Sequence, residues 1–281
     1  MTKFRFHEVF KDTMYIDSAI PIEETINYIQ KNKIDSIIIN YANGFEGDSI
    51  EALCELKEVK KIDILLMDNL DISCIRKMTH LEELSYNDEF DFDLDFSVFS
   101  KLKSISFDWN KKVKNLSTLK NLEHLGMSRY KDTNVLLSNF TKLKSLSLTQ
   151  GNLNSLNFLE NYKFLKRLNL AYLPRLADIS CLNEVSKTLE ELSITNCKKL
   201  EWHKFPELKS LKKLLIEGAI LDDINFVKNL PKLEHLAIMG AKTDILNGDI
   251  SPAINIKYVG IDNKKHYNYK YDYDLKKLIA R

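Results

Sequence analysis

The side chains best suited to chemistry in this 281-residue chain are its six histidines and four cysteines. Such residues can hold a metal ion, and a cysteine beside a histidine can act as a nucleophile. His124 and His235 both lie in the sequence LEHL, and Cys74 and Cys181 lie in DISCI and DISCL. The same flanking sequence around two distant residues favours a repeated structural unit over a reactive site.

A spacing of apolar residues, L-x-x-L-x-L, recurs along the chain at steps of 20 to 25 residues. The eleven frames begin at Ile34, Val59, Leu81, Leu102, Leu122, Leu143, Leu165, Leu189, Leu211, Leu233 and Ile256. Each repeat offers about seven apolar side chains, worth roughly 1.5–3 kcal/mol each on burial. Ordering its backbone costs roughly 1–2 kcal/mol per residue. One repeat therefore cannot fold alone, and we expect a stack of repeats.

This pattern resembles the leucine-rich-repeat proteins, in particular the short class of about 22 residues per repeat found in bacterial internalin-type proteins. The resemblance covers residues 34–264. It implies an α/β solenoid, an arc with about eleven short parallel strands on the concave face and short helices or extended turns on the convex face. The asparagine that usually follows the strand is present at Asn110 but replaced elsewhere, for example by Tyr130 and Leu173. We therefore expect a less regular coil.

Both ends of such a stack would expose apolar edges without a cap. Residues 1–33 are predicted to form the N-terminal cap, with a helix that begins at Pro21. Residues 34–264 form the solenoid, and residues 265–281 form a C-terminal cap or tail. No linker or second domain is expected.

Two segments have strand periodicity outside the repeat frames. In residues 87–99, NDEFDFDLDFSVF, apolar residues alternate with aspartates. We interpret this segment as an extended convex leg with its acids in water, or alternatively as an acidic ridge for a basic partner. Residues 267–273 carry tyrosine at every second position. These rings either cover the last repeat or offer a sticky edge to a partner.

The repeat argues against a reactive site. The two LEHL histidines lie five frames apart, which is roughly 24 Å at about 4.8 Å per strand and too far to share one ion. The same separation excludes a disulfide between Cys74 and Cys181, which we interpret as small core residues. Cys197 occupies a structural turn position, and Cys54 lies on a probable return helix. With no P-loop, dinucleotide-binding, zinc-protease or serine-hydrolase motif, we expect no enzyme, no metal and no cofactor.

The charge balance, 41 basic against 40 acidic residues, disfavours nucleic acid as a ligand. The sequence has no run of about eighteen apolar residues and no secretory signal, so neither a membrane span nor export is expected. Four cysteines are too few for a disulfide scaffold of this size, which fits a reducing compartment. These features predict a cytoplasmic chain, and we expect a monomer.

The residues predicted to face outward from the strands suggest a binding surface. One column is small: Ser85, Ser106, Gly126, Ser147, Asn169 and Ser193. Beside it, the residues predicted to bind a partner are Asn87, Asp88, Asp108, Trp109, Arg129, Gln150, Tyr172, Asn196 and Glu217. Such a composition is typical of a protein-binding face. The expected function is a non-enzymatic protein-binding scaffold; the resemblance suggests an intracellular inhibitor or immunity-type partner. The alternative is a secreted or cell-surface adhesin whose export signal is missing from this sequence.

Overall fold

The computed structural model describes residues 3–47, 49–65, 71–87, 92–130, 137–272, 274–275 and 277–281. In it the chain forms two compact units, unit 1 (Met1–Met127) and unit 2 (Ser128–Arg281). Each unit is a stack of parallel strands joined by short return legs. The same apolar frame builds both.

Unit 1 contains two short α-helices and a parallel sheet. The helices are α1 (Ile22–Asn32) and α2 (Glu51–Cys54). The strands are β1 (Thr13–Ile16), β2 (Ser36–Asn40), β3 (Lys61–Leu65), β4 (Glu83–Tyr86), β5 (Leu94–Asp95), β6 (Ser104–Asp108), β7 (Val113–Lys114) and β8 (His124–Ser128). The sheet order is β1-β2-β3-β4-β6-β8, and β5 pairs separately with β7. The return legs hold 3-10 turns at Tyr41–Asn43, Ser73–Lys77, Phe96–Val98 and Leu116–Thr118.

The first strand of this sheet, β1, lies inside the segment predicted to be the N-terminal cap. It pairs in parallel with β2, with Met14 opposite Ile37. The predicted helix is present as α1, with Pro21 as its N-cap residue. Its buried face consists of Thr25 and Ile29, whereas Ile22 remains 42% exposed. The N-terminal segment therefore adds one strand to the stack as well as a helix.

The interpretation of Cys54 and Cys74 as separate, reduced cysteines is wrong. Cys54 at the end of α2 and Cys74 in the next return leg form a disulfide, with their Cα atoms 5.9 Å apart. Cys74 is far from Cys181, five frames away, but lies beside Cys54 of the adjacent repeat. Consecutive repeats place equivalent positions of their return legs side by side, so a pair 20 residues apart can meet. Both sulfur-bearing residues are buried, as the frame predicted for Cys74.

Unit 2 continues the same pattern. Its strands are β9 (Ser145–Thr149), β10 (Arg167–Ala171), β11 (Glu191–Thr195), β12 (Lys213–Glu217), β13 (Ile220–Leu221), β14 (His235–Met239), β15 (Asp244–Ile245), β16 (Tyr258–Ile261), β17 (Tyr269–Asp272) and β18 (Lys277–Ala280). The sheet runs β9-β10-β11-β12-β14-β16, with β13 paired to β15. The 3-10 turns are Leu137–Asn139, Asn157–Asn161, Ser180–Val185, Trp202–Lys204, Asn225–Asn229 and Ser251–Ala253.

All eleven predicted frames carry a sheet strand, and in unit 2 the strands from β9 to β16 pair in register from one frame to the next. For example, Leu168 of β10 lies opposite Leu146 of β9 and Leu192 of β11. Most apolar frame residues are buried, as Leu168 is at 2% exposure, and Ile34, Leu233, Ile256 and Val259 are half-buried. The mixed spacing follows from this geometry, because the last two apolar residues of a frame alternate along a strand and the first enters it from the bend. The predicted α/β solenoid is confirmed.

Apart from α2, the described return legs hold 3-10 turns, where the resemblance implied short helices or extended turns. A leg of this length has room for about one turn. Many of these turns begin after a short polar side chain that accepts a hydrogen bond from the backbone two residues later. The carboxylates of Asp71, Asp95, Asp178, Asp223 and Asp249 all do this, at donor–acceptor distances of 2.7 to 3.0 Å. The recurring D-I-S and D-I-N sequences are thus caps of the return legs.

The C-terminal residues predicted as a cap form an antiparallel hairpin of β17 and β18 that packs against β16. Asn263, just after β16, bonds both ways to the backbone of Tyr271, at 2.7 and 3.0 Å. Tyr267 is buried, and its hydroxyl donates to Asp244 at 3.0 Å. Burial raises the pKa of Tyr267 to about 12, so this donor keeps its proton. Of the alternating tyrosines, Tyr273 lies outside the described residues.

In the acidic segment 87–99, residues 88–91 lie outside the part that the structure describes. From residue 92 onward the predicted alternation holds: Leu94 and Phe96 are buried, while Asp93 is exposed. Asp93 pairs with Lys114 of the neighbouring repeat. Asp95 accepts a hydrogen bond from the Asn115 side-chain amide at 3.0 Å.

Candidate functional site

The outward positions of the unit 2 strands form a continuous surface, which we call the sheet face. In a strand such as β9, Leu146 and Leu148 are buried, whereas Ser145, Ser147 and Thr149 point outward. Because neighbouring strands pair in register, equivalent outward residues line up in a column that crosses the strands. Neighbouring residues within one column are about 4.8 Å apart. The sheet face therefore offers three columns of side chains.

A hollow of about 700 Å³ lies on this sheet face. Its floor is the central column, which consists of Ser147, Asn169, Ser193, Leu215, Ala237 and Gly260. The floor is polar at its start, where the Asn169 amide donates to the Ser147 hydroxyl at 2.8 Å. It becomes apolar over the last three strands. Small side chains leave backbone and apolar surface accessible, so an incoming side chain can reach the sheet.

The first column forms one wall of the hollow and carries charge and aromatic rings. Glu191 and Lys213 form an ion pair at 2.8 Å. Further along, the rings of His235 and Tyr258 stack at 4.3 Å between centroids, and Lys257 lies 4.9 Å from the centre of the Tyr258 ring. Tyr271 from the C-terminal hairpin also lines the hollow. The wall thus joins an ion pair to an aromatic corner, a combination common at protein interfaces.

A second feature lies where the strands end. Arg129, Gln150, Tyr172 and Asn196 each directly follow a strand frame and each have φ between 52° and 58°. This left-handed conformation costs an ordinary L-residue roughly 1–2 kcal/mol, and glycine adopts it freely. The next two repeats have Gly218 and Gly240 at the same position. We call the four non-glycine residues the rim.

The rim is held in line by backbone hydrogen bonds. The N–H groups of Arg129, Gln150, Tyr172 and Asn196 each donate to the last strand carbonyl of the next repeat, at 2.8 to 2.9 Å. The row ends at Gly218, where a Cβ would lie 2.3 Å from the Asn196 amide oxygen. Arg129 and Gln150 are exposed and Tyr172 is 51% exposed. A strained backbone that carries large exposed side chains instead of glycine suggests that those side chains are used.

Unit 1 has its own hollow of about 760 Å³ on its sheet face, with different chemistry. Four acids line it, namely Asp12, Asp35, Asp63 and Glu83, against two lysines, Lys11 and Lys61. Lys61 pairs with Glu83 at 3.0 Å. Beside the acids, Val9 and Phe10 are 75% and 65% exposed. The unit 1 hollow is therefore acidic, and the unit 2 hollow is not.

The structure separates the predicted partner-binding residues into two groups. In unit 1, Asn87 is exposed after β4, and Asp108 and Trp109 are half-buried at the end of β6. The Trp109 ring is less exposed than expected because it packs 6.2 Å from the ring of Phe107. Asp88 lies outside the described residues. In unit 2 the predicted residues are the four rim residues and Glu217, an exposed residue at the end of β12.

None of the predicted residues described lines either hollow. The small floor column was predicted from the sequence, but five wall residues were not: Arg167, Glu191, Lys213, His235 and Tyr258. They occupy the second x of the frame L-x-x-L-x-L, a position that the predicted outward columns did not include. Strand alternation was the signal that could have found them, since a residue two before the floor column must share its face.

A metal cluster or an activated thiol among the described residues would support catalysis. Within that part of the chain, no group of three or more metal-binding side chains could hold an ion. Burial raises the pKa of the Cys181 and Cys197 thiols, the reverse of what a cysteine nucleophile requires. The Cys181 thiol instead donates to the Asn157 side chain at 3.0 Å. Over the same residues, none of the helices has the length and apolar character that a bilayer crossing demands.

Comparison with known proteins supports the fold. No protein-family model and no curated protein matches the sequence. The crystal structure of the internalin InlF from Listeria monocytogenes is similar, with a TM-score of 0.56 and 17% identity over 84% of this chain and 70% of that one. A leucine-rich-repeat protein of Leptospira interrogans matches with a TM-score of 0.49 and 17% identity over 87% of this chain and 69% of that one. Together with a strand in each of eleven leucine-rich frames, the likeness to InlF shows that the chain has a leucine-rich-repeat fold.

Proposed function

We propose that this chain is a scaffold that binds another protein through the sheet face and rim of unit 2. The observation that carries the proposal is the hollow of about 700 Å³, whose small floor is bounded by an ion pair and an aromatic corner. Such a hollow can receive an apolar side chain while its charged wall selects the partner. The sheet is already ordered in the free chain, so binding costs little conformational entropy.

The rim extends this surface beyond the hollow. Its residues stand in one row, spaced about 4.8 Å apart by the hydrogen bonds between repeats. Arg and Tyr are enriched among residues that dominate binding energy at interfaces. Arg129 and Tyr172 are therefore the rim positions from which we expect the largest contribution.

Filling the floor tests the proposal. Ser193→Trp places a large ring in the hollow at a half-buried strand position that faces outward, so the stack should remain folded. The partner is first captured by crosslinking in an extract of source cells, and its affinity for each purified variant is then measured. We expect at least about a tenfold loss for Ser193→Trp, which corresponds to about 1.4 kcal/mol.

Ser106→Trp is the matched control, because Ser106 holds the same frame position on the sheet face of unit 1. It should leave the affinity unchanged. Equal losses in both variants, or none in Ser193→Trp, would show that the unit 2 hollow is not the binding surface. Tyr172→Ala tests the rim separately.

The compartment divides two roles that such a scaffold could have. An inhibitor or immunity-type partner would work inside the cell, where thiols stay reduced. An adhesin would work outside it, and the Cys54–Cys74 disulfide supports this second role because such bonds persist in oxidising compartments. Alkylation of source cells before lysis, followed by mass spectrometry, distinguishes the two. Cys54 and Cys74 peptides recovered already joined would favour the adhesin, and alkylated ones the inhibitor.

A further inference from the structure

Lysines gather at the opposite end of the unit 2 strands from the rim. Six of them surround a hollow of about 340 Å³ that we call the lysine hollow: Lys144, Lys163, Lys166, Lys187, Lys212 and Lys232. Lys144, Lys166 and Lys212 directly precede β9, β10 and β12, and the other three lie in the bends that lead into the strands. The strand ladder therefore sets their spacing, and all six are exposed.

One carboxylate of the chain itself already lies among these lysines. It belongs to Glu190, which forms an ion pair with two of them. One carboxylate oxygen is 3.2 Å from Lys166 Nζ, and the other is 2.8 Å from Lys212 Nζ. The hydrogen bonds from Lys212 and Lys166 lower the pKa of Glu190. Within the described residues, neither Lys187 nor Lys232 forms an ion pair. The lining thus carries six ammonium groups against a single acid.

An apolar ring lies in the same lining. Phe164, between Lys163 and Leu165 in the chain, is 59% exposed and is one of the residues that form the hollow. A large exposed ring surrounded by cations fits a ligand that brings an apolar group together with acids. Thr188 and Ser210 add polar side chains to the same lining.

The position of Glu190 favours a peptide over a nucleic acid. A phosphate backbone has a charge on every unit, so a strand laid across the hollow would meet this carboxylate. A peptide can place its acids on either side and a neutral residue in the middle. The balanced charge of the whole chain, +1, also gives no broad field for phosphate.

We propose that the lysine hollow is a docking site for an acidic segment of a protein, with carboxylates flanking an apolar side chain that packs on Phe164. This site is separate from the sheet face, so it is an additional contact and does not depend on the proposed function. Its lysines would also speed association with an acidic partner by electrostatic attraction.

The test uses a fluorescein-labelled peptide of repeated Asp-Glu-Phe units and the full chain, with binding followed by fluorescence anisotropy. We expect saturable binding that weakens with added salt. The triple variant Lys163→Glu, Lys187→Glu, Lys232→Glu should bind at least about tenfold more weakly, because three exposed charges are reversed. Phe164→Ala should weaken binding without changing its salt dependence.

Unit 1 offers a control matched in charge and position. Lys57, Lys101 and Lys120 are exposed and lie in bends one or two residues before a frame, as the three substituted lysines of unit 2 do. The triple variant Lys57→Glu, Lys101→Glu, Lys120→Glu should retain the wild-type affinity. Equal weakening in both triple variants would reduce the effect to net charge and overturn the site.

Two further outcomes would also overturn it. One is the absence of saturable peptide binding by the wild-type chain. The other is a single-stranded RNA of equal charge that binds as tightly as the peptide, since this would make the hollow a general anion patch. Circular dichroism melts of all variants exclude unfolding as the cause, and Ser193→Trp should bind the acidic peptide normally.

Discussion

Units 1 and 2 are built from one apolar frame, yet they differ in what is added to it. Unit 1 has a disulfide between consecutive return legs and an acidic hollow lined by Asp12, Asp35 and Asp63. Unit 2 has a hollow with an aromatic corner and a rim in the left-handed conformation. The buried positions are therefore shared, and the exposed columns are where the units diverge. A repeat fold lets stability and recognition vary almost independently.

The largest expected effect should be the same in both units. Leu84→Ala in unit 1 and Leu192→Ala in unit 2 remove equivalent frame residues that are 1% and 2% exposed. Each should lower the free energy of unfolding by about 2–5 kcal/mol, because a buried leucine leaves a cavity. Denaturant unfolding measures the loss, and hydrogen exchange locates it. A cost below about 1 kcal/mol in either unit would contradict a shared core.

Removal of the disulfide should separate the units. Cys54→Ala with Cys74→Ala opens a loop whose ends are 20 residues apart. Loss of this constraint on the unfolded chain should cost about 3 kcal/mol. Hydrogen exchange should show faster exchange in unit 1 and little change in unit 2. Cys181→Ala is the control, since that thiol is not bonded to another cysteine. If hydrogen exchange became faster by the same amount in both units, the disulfide would not stabilise unit 1 selectively.

The rim should show a smaller effect with opposite signs. Tyr172→Gly relieves a left-handed residue and should stabilise unit 2 by roughly 0.5–1 kcal/mol. Gly218→Ala should destabilise it by roughly 1–2 kcal/mol, since the new methyl meets the Asn196 side chain. Trp109 has the same frame position in unit 1, but its φ is not positive. Trp109→Gly therefore relieves no strain and should destabilise unit 1. Thermal melts test all three, and stabilisation by Trp109→Gly would place the same strain in unit 1.

The smallest effect concerns the capping aspartates, one of which we take from each unit. Hydrogen bonds from Ser73 and Ser180 lower the pKa of Asp71 and Asp178 below the usual value of 3.8. Their contribution is complete above that value and is lost as the pH falls through the lower folded pKa. Asp71→Asn and Asp178→Asn keep the acceptor but not the titration.

Each Asn variant should therefore lose less stability than the wild type between about pH 6 and about pH 2.5. Urea unfolding at the two pH values provides the measurement. We expect similar differences for the two units, because both caps have the same geometry. A pH response in one unit alone would mean that the two caps are not equivalent.

Much of the fold followed from the sequence, because burial imposes a period that the eleven frames display directly. The return legs were less predictable: the spacing of Leu221, Ile224 and Val227 fits one 3-10 turn as well as a helix. The Cys54–Cys74 bond was missed because pairing depends on which return-leg positions meet between repeats, and a frame defined on strands does not locate them.

The candidate site was only half predictable. The floor column from Ser147 to Ser193 follows from strand alternation. The wall residues lie two positions earlier in each strand, so the same alternation would have predicted them if each strand had been taken to begin two residues earlier. The left-handed backbone of Arg129, Gln150 and Tyr172 has no sequence signal, because these residue types rarely adopt it. The place of Tyr271 beside the hollow depends on how the terminal hairpin folds back, which no repeat period contains.

The hairpin of β17 and β18 has a consequence for the exposed edge of the unit 2 sheet. In a stack of parallel strands, the last strand has unpaired backbone groups along one edge. That edge could pair with another parallel strand. The hairpin of β17 and β18 is antiparallel, so it does not repeat the parallel geometry of the stack. Hydrogen bonds between Asn263 and the backbone of Tyr271 hold it next to β16. Because this hairpin packs against β16, it leaves that edge of the sheet less open to pairing with a strand of another molecule.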